Sequence, residues 1–523
     1  MKDKYIYLFW FIALLPIIIL RDFTPDNELR YLSIVDEALV NGDIFTFTNQ
    51  GIIYADKPPL YFWLMMLGKV ILNGHRMWFL SMLSFIPALI TLLTMTKWMH
   101  MSNRENDCTK EREKVNTPTL MLMTSGLFLG LTIFVRMDML MVMFITLSLY
   151  TFFKIYKGVN HPRDTYLFPI YVFLALFSKG PVGILVPLVS TLLFLLFRKE
   201  LHTFKKYWGW KSLLIILGGC VIWFTGVYLE GGNEYLNNLL VHQTVGRGVN
   251  SFHHKEPFYY YAISIWYLIA PWSLLTIGLL IAGVYKRKIQ SELELFFVII
   301  ILSTLGFLSI ISSKLGVYLL PVIPFIVFLS ALQMEKFNVQ SKWIRSAVAI
   351  PAIGFLFVLP ITIFLINTNK MSYLDLPLIY VVATFFSITG VLTMFLLYRR
   401  KETHKAISAM SWGILLSVFI LGFTMPQLNS QLGWCNLCQK ALQLSEENNS
   451  NDYCVYKISR AESMDVFFKK DVQFVSKEAI VGNLLKDKLL LLPIKEKESD
   501  NDLLSVIQGR KYYEVGDYMI VVF

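Results

Sequence analysis

The apolar stretches of this 523-residue chain contain almost no charge. Charged residues make up 16% of the sequence, hydrophobic residues 55%, and the mean hydropathy is +0.54. A water-soluble domain has nowhere to hide that much apolar surface, whereas lipid solvates it. Transporters bury ionisable groups at mid-span and are often built from inverted repeats, and the sequence offers neither. Cysteine is scarce, five in all, and only Cys435 and Cys438 are neighbours. No thioredoxin-like context surrounds that pair, so a structural disulfide in an oxidising compartment is the expectation. The C-terminal part has no Gly-rich phosphate loop, paired-His motif or nucleophile elbow. The formal charge of +11 invites nucleic acid, but the basic residues sit in short blocks between apolar runs and suit anionic lipid headgroups instead.

Apolar runs predict thirteen membrane helices, near 5–21, 76–98, 117–135, 137–153, 165–178, 181–197, 212–229, 258–284, 294–312, 315–334, 344–366, 376–398 and 406–425. The N-terminal run lacks a small-residue cleavage site and is expected to stay as the first span. The run 60–73 is too short to cross and is expected to lie at the interface. With the N-terminus inside, the cytoplasmic segments hold 25 Lys and Arg, the outer loops 11 and the tail 12, as the positive-inside rule requires. The organisation expected is a membrane domain over 1–425 with a long first outer loop at 22–75, a linker with one short helix at 426–451, and a small soluble domain over 452–523. In that last part strand-like YCVYKI, VQFVS, KLLLLPI, YYEV and DYMIVVF alternate with helix-like segments, which predicts an α/β fold outside the membrane.

Polar residues gather in the outer loops. Asp26 and Glu28 open the first loop, where a carboxylate can take the proton of an attacking hydroxyl. The plainer role is capping the helix that ELRYLSIVDEALV predicts. Asp56-Lys57-Pro58-Pro59 holds an ammonium on a backbone that prolines stiffen. Arg136 and Asp138 bracket a turn that reads as a salt bridge, or as acceptor-orienting groups. Lys57, Lys179 and Lys314 each sit at an outer membrane boundary, with Tyr318 close to the last. Singly each lysine is an anchor; together with Arg30 they can surround a phosphate. His253 and His254 are adjacent and so chelate poorly by themselves, but one imidazole with a first-loop carboxylate can bind a divalent ion.

In order, the residues 26-DNELRY-31, 55-ADKPPLYFW-63, 135-VRMDML-140, 178-SKGPVG-183 and 314-KLGVYLLP-321 resemble the polytopic GT-C glycosyltransferases. The resemblance is to the lipid A aminoarabinose transferases and bacterial relatives of the protein O-mannosyltransferases, through residues 1–334. It implies a bacterial inner-membrane enzyme with a periplasmic active site. Such an enzyme moves a sugar from a polyprenyl-phosphate donor, undecaprenyl phosphate in bacteria, to an acceptor such as lipid A, by a single inverting displacement; the lipid phosphate, once neutralised, is the leaving group, so no nucleotide is expected as cofactor.

The family pattern implies a first-loop base, here Asp26 or Glu28, assisted by Asp138. It implies a phosphate site at Arg30, Lys57 and Tyr318 with Lys179 nearby; Arg136 and Lys314 join these as substrate-binding candidates. Asp56 and His254 are the implied metal ligands. Two departures stand out. The family reads Asp-Glu-x-Arg-Tyr, whereas strict register puts Asn27 at the position of the base, and Asp56 replaces a Glu. A protein or surface-glycan acceptor is the second reading, and a lipid-linked-sugar flippase the third.

Overall fold

A computed structural model describes residues 4–102, 108–241, 255–368, 371–448, 450 and 452–523. Every one of the thirteen apolar stretches is helical, several as broken pairs. The first nine helices are α1 (Lys4–Leu20), α2 (Arg30–Asn41), α3 (Leu60–Leu72), α4 (Met77–Ser102), α5 (Cys108–Met123), α6 (Gly126–Ile133), α7 (Asp138–Lys157), α8 (Asp164–Lys179) and α9 (Val182–Phe197). Among the described residues eight helices are singly long and apolar enough to span a membrane; α1 makes a ninth when counted with the segment after it, which it meets at a 74° bend. Breaks have local causes. Pro271 ends the helix Tyr260–Leu268 before Ser273–Tyr285 begins, because it lacks an N–H and its ring displaces the preceding turn. Gly232, at φ +66°, breaks the long helix Trp210–Asn237 in a conformation that only glycine adopts cheaply.

α7 packs between α4, α8 and α9 and is among the most enclosed of the long helices. It and α8 run antiparallel, joined by a turn that starts at Gly158, φ +69°. The first residue of α7 and the last of α8 therefore meet at one end of the bundle. The other end is held by ion pairs: Arg198 to Glu292 at 2.7 Å, Lys154 to Asp164 at 2.8 Å and Lys336 to Glu294 at 2.6 Å.

Between α1 and α4 the chain forms the loop predicted at 22–75. α2 is amphipathic, burying Tyr31, Leu32, Ile34, Val35 and Ala38 while Asp36 and Glu37 face outward, and it stops at Gly42, φ +82°. A small hairpin follows, β1 (Thr48–Asn49) with β2 (Ile52–Ile53), tied by Glu37, which accepts from the Gln50 and Gly51 N–H groups at 2.6 and 2.8 Å. α3, at 13 residues, is too short to cross a bilayer alone.

The C-terminal domain has the expected alternation. Strands β3 (Asp452–Val455), β4 (Gln473–Phe474), β5 (Lys488–Pro493), β6 (Tyr512–Val515) and β7 (Tyr518–Val522) order as β4-β3-β5-β7-β6. The first three are parallel and the last two join antiparallel. The stretch 426–451 departs from the expected linker: it folds as two helices, Met425–Leu432 and Cys435–Asn448. Leu437, Cys438, Ala441 and Leu444 line one helical face that joins the first loop and the sheet in a shared core with Tyr31, Phe62 and Leu489. The expected disulfide is absent. Cys438 is turned into that core and Cys435 instead accepts from Gln439 at 3.3 Å, so both remain thiols.

Candidate active site

The site is assembled at the bundle end where α7 begins. Asp138 is buried there as the first residue of α7, a position that suits a carboxylate because the helix N-terminus carries partial positive charge. The Lys179 ammonium, at the C-terminal end of α8, bonds its Oδ1, and Arg136 Nε donates to its Oδ2 at 3.2 Å. Lys179 also lies 4.8 Å from the centre of the Tyr318 ring, within cation–π range. Tyr318 is presented by the 3₁₀ turn Gly316–Val322.

Of these residues Lys179 and Tyr318 line a cavity of about 260 Å³. Asp56, Lys57, Lys179 and Tyr318 are among its polar lining residues, and Trp223, Phe224, Leu240, Leu308 and Ile311 among its apolar ones. The first loop delivers Asp56 and Lys57 because Tyr235 pins it: its hydroxyl donates to the Tyr54 carbonyl at 2.9 Å and accepts from the Phe47 N–H at 3.0 Å. Tyr31 is buried beside the cluster. Burial pushes its phenol up, and Arg136, Arg30, Asp138 and Asp56 are all close enough to act on it.

The other expected residues are placed differently. Glu28 is 1% exposed and fully engaged. Arg21 grips it through two bonds of 2.6 and 2.7 Å, and the Thr24 and Val135 N–H groups donate to it at 2.8 and 2.7 Å. It is a clamp between the first loop and the Arg136 turn, with no oxygen turned to the cavity. Asp26 is exposed, on the π-helical turn Pro25–Leu29 that sits against Ala461–Met464 of the C-terminal domain. Asn27 accepts from Arg30 at 3.3 Å, while the Arg30 guanidinium stacks 5.5 Å from the Tyr54 ring and keeps a buried Nε without a partner among the described residues. Lys314 is buried and donates to the Ile311 and Glu256 carbonyls at 2.6 and 3.0 Å, so it braces the wall instead of facing the cavity. His254 and its neighbour His253 lie outside the described residues. Among the described residues no three His, Cys, Asp or Glu side chains converge as a metal site.

Sequence reasoning passed over Arg21, Asp22 and Tyr235. Asp22 accepts from the Cys435 N–H at 2.8 Å, and Asn429 donates to the Leu20 carbonyl at 2.9 Å, so the end of α1 is tied to the two C-terminal helices. The signal was present: an Arg-Asp pair directly after an apolar run has to find partners.

No family model matches the chain. The crystal structure of ArnT from Cupriavidus metallidurans bound to undecaprenyl phosphate superposes with a TM-score of 0.75, over 100% of this chain and 98% of that one, at 17% identity. The chain has the GT-C fold. The apo form of the same ArnT gives a TM-score of 0.73 at 16% identity, over 99% of this chain and 96% of that one. In sequence, an uncharacterized protein of Aquifex aeolicus is 26% identical over 311 residues, 58% of each chain. The undecaprenyl phosphate-alpha-4-amino-4-deoxy-L-arabinose arabinosyl transferase 2 of Pseudomonas fluorescens is 23% identical over 328 residues, 61% of this chain and 54% of that protein. A second P. fluorescens transferase of that name, numbered 1, matches over 460 residues at 22% identity, covering 84% of this chain and 77% of that protein. The first two alignments span a little over half of those relatives.

Proposed function

We propose that this GT-C protein transfers a sugar from a polyprenyl phosphate, undecaprenyl phosphate in a bacterium, to a hydroxyl or phosphate of an acceptor such as lipid A. The observation that carries the reading is the mixed lining of the cavity, which combines Lys57, Lys179 and Tyr318 with the apolar Trp223, Phe224, Leu308 and Ile311. A prenyl phosphate needs both halves: cations for the headgroup and lipid-like contacts for the first isoprene units. The names of the arabinosyl transferase relatives and the undecaprenyl phosphate held by ArnT support the same donor.

In this mechanism Lys57 and Lys179 neutralise the donor phosphate, with Arg30 and the Tyr318 hydroxyl assisting. Lys179 is kept in place by Asp138, which Arg136 holds from the other side. The acceptor oxygen attacks the anomeric carbon as the carbon–oxygen bond to phosphate breaks, and the electron pair leaves on the lipid phosphate. Charge neutralisation of that leaving group is the main catalytic contribution. Asp26 takes the proton where the acceptor is a hydroxyl; a phosphate oxygen arrives already ionised and needs no base. Asp56 and His254 are the residues that would hold a divalent ion, and no step depends on it. The basic bundle end and the N-terminus face the cytoplasm, and the cavity and C-terminal domain face the periplasm.

The test is transfer in proteoliposomes from a radiolabelled undecaprenyl-phosphate sugar to candidate acceptors. Transfer by the wild type and its loss in Lys57→Ala support the reading. Lipid-linked sugar that crosses the bilayer without hydrolysis or transfer would make the protein a flippase.

A further inference from the structure

A second cavity, of about 990 Å³, lies beside α2, where the first loop meets the C-terminal domain. It shares no lining residue with the first. Asp36 comes from α2, Gln50 from the hairpin, Lys69 and Asn73 from the end of α3, and Asp465 and Asp471 from the C-terminal domain. We propose that this cavity binds the saccharide headgroup of a glycolipid acceptor and holds it while the group to be modified reaches Lys57 and Lys179; the proposal rests on the transferase reading above.

The lining selects the ligand class. A phosphate site presents cations that are free to pair, but here the Lys69 ammonium already bonds Asp36, and Lys469 lies 3.5 Å from the same carboxylate. His75 meets Asp36 as well, at 2.5 Å. Lys470 adds a third ammonium, but the carboxylates of Glu37, Asp465 and Asp471 and the Gln50 and Asn73 amides also line the cavity, and such groups are the usual partners of sugar hydroxyls. One acceptor is conspicuous. Asp465 Oδ2 accepts from Ser33 Oγ at 2.7 Å, while its Oδ1 is buried and receives no hydrogen bond of normal geometry among the described residues, the Val466 N–H being the donor nearby. A buried carboxylate oxygen without a well-aligned donor is costly, and a hydroxyl supplied by a ligand would relieve it.

The rim selects a lipid. Val40 and Val70 line the cavity and are 86% and 65% exposed, and Leu67 and Ile71 stand bare on the apolar helix α3. A polar cleft edged by exposed aliphatic side chains on a helix too short to span matches a molecule with a sugar head and acyl chains.

The experiment measures equilibrium binding of a tritiated dihexosyl diacylglycerol to the full chain in nanodiscs, with phosphatidylglycerol as competitor and undecaprenyl phosphate binding read in parallel. The wild type should retain the dihexosyl lipid against phosphatidylglycerol. Asp465→Ala should weaken it by about tenfold, the effect of one hydrogen bond to a charged group. The exposed Asp471→Asn, which leaves the Ser33 contact intact, should weaken it in the same direction. Undecaprenyl phosphate binding should not change in either variant. Displacement by phosphatidylglycerol, or equal affinity in both variants, would overturn the proposal. A wild type that holds the dihexosyl lipid but not undecaprenyl phosphate would refute the transferase reading, and with it the assignment of this saccharide as acceptor.

Discussion

Arg21 holds Glu28 through two parallel hydrogen bonds, 2.6 and 2.7 Å long, across the bend where α1 leaves the bundle. Both groups are buried, and the carboxylate also receives two backbone N–H groups from either side of the site. The pair is what fastens the first loop to the Arg136 turn.

That geometry predicts a folding phenotype for Glu28→Ala instead of a purely chemical one. Removing one partner of a buried pair leaves the other charge uncompensated, at a cost of roughly 3–5 kcal/mol. Thermal unfolding in detergent should show Glu28→Ala and Arg21→Ala each strongly destabilised. Arg21→Met with Glu28→Leu should recover part of the loss. Full stability in Glu28→Ala, with transfer abolished, would return the residue to the role of base.

A different signature is expected of Lys179 and Asp138. Lys179→Met removes a cation that the leaving phosphate needs, so kcat should fall by about a hundredfold or more. Asp138→Asn keeps the shape but loosens Lys179 and Arg136, and should lower kcat less than Lys179→Met does. Steady-state kinetics with the undecaprenyl-phosphate sugar separate the two. Equal activity of wild type and Lys179→Met would remove Lys179 from the mechanism.

The fold was legible because long apolar runs and basic loops are properties of composition, which survive without knowing any contact. The C-terminal strands were legible for a related reason: runs such as 488-KLLLLPI alternate with helix-like segments too short to be read otherwise. One short helix was expected where two stand, because the polar face of Cys435–Asn448 dominates its composition, although Leu437, Ala441 and Leu444 already mark a buried face at helical spacing. In the site, Asp56, Lys57, Lys179 and Tyr318 could be found from their position at helix ends. Glu28 and Lys314 could not be told from them, since whether a boundary charge faces a cavity or ties down the backbone depends on partners such as Arg21 and the Glu256 carbonyl.

Asn27 allows a test by gain of function. Its side-chain oxygen lies 3.3 Å from Arg30, so Asn27→Asp would create a charged pair in place of an amide contact. The resulting Asp sits one residue from Asp26, on the register of the family's base. Transfer to an acceptor hydroxyl should rise in Asn27→Asp and survive there when Asp26→Asn is added. Loss of transfer in the double variant would keep the base at Asp26.

Asp465 makes the docking of the C-terminal domain sensitive to pH. Burial pushes its carboxyl up to about 6 from an ordinary 3.8; Asp36 and Asp471 push the same way, against the Ser33 hydroxyl and the Val466 N–H. The folded state therefore prefers the neutral form. Its contribution is complete below the ordinary value and is lost as pH rises through about 6, which amounts to a difference on the order of 3 kcal/mol between acidic and neutral conditions. Limited proteolysis of the C-terminal domain should be slower at pH 5 than at pH 7.5. Asp465→Asn, which stays neutral and keeps an oxygen for Ser33, should be slow at both. A wild type whose proteolysis is the same at the two values would show that the Asp465 carboxylate is solvated, and that the joint between α2 and the C-terminal domain is open to water.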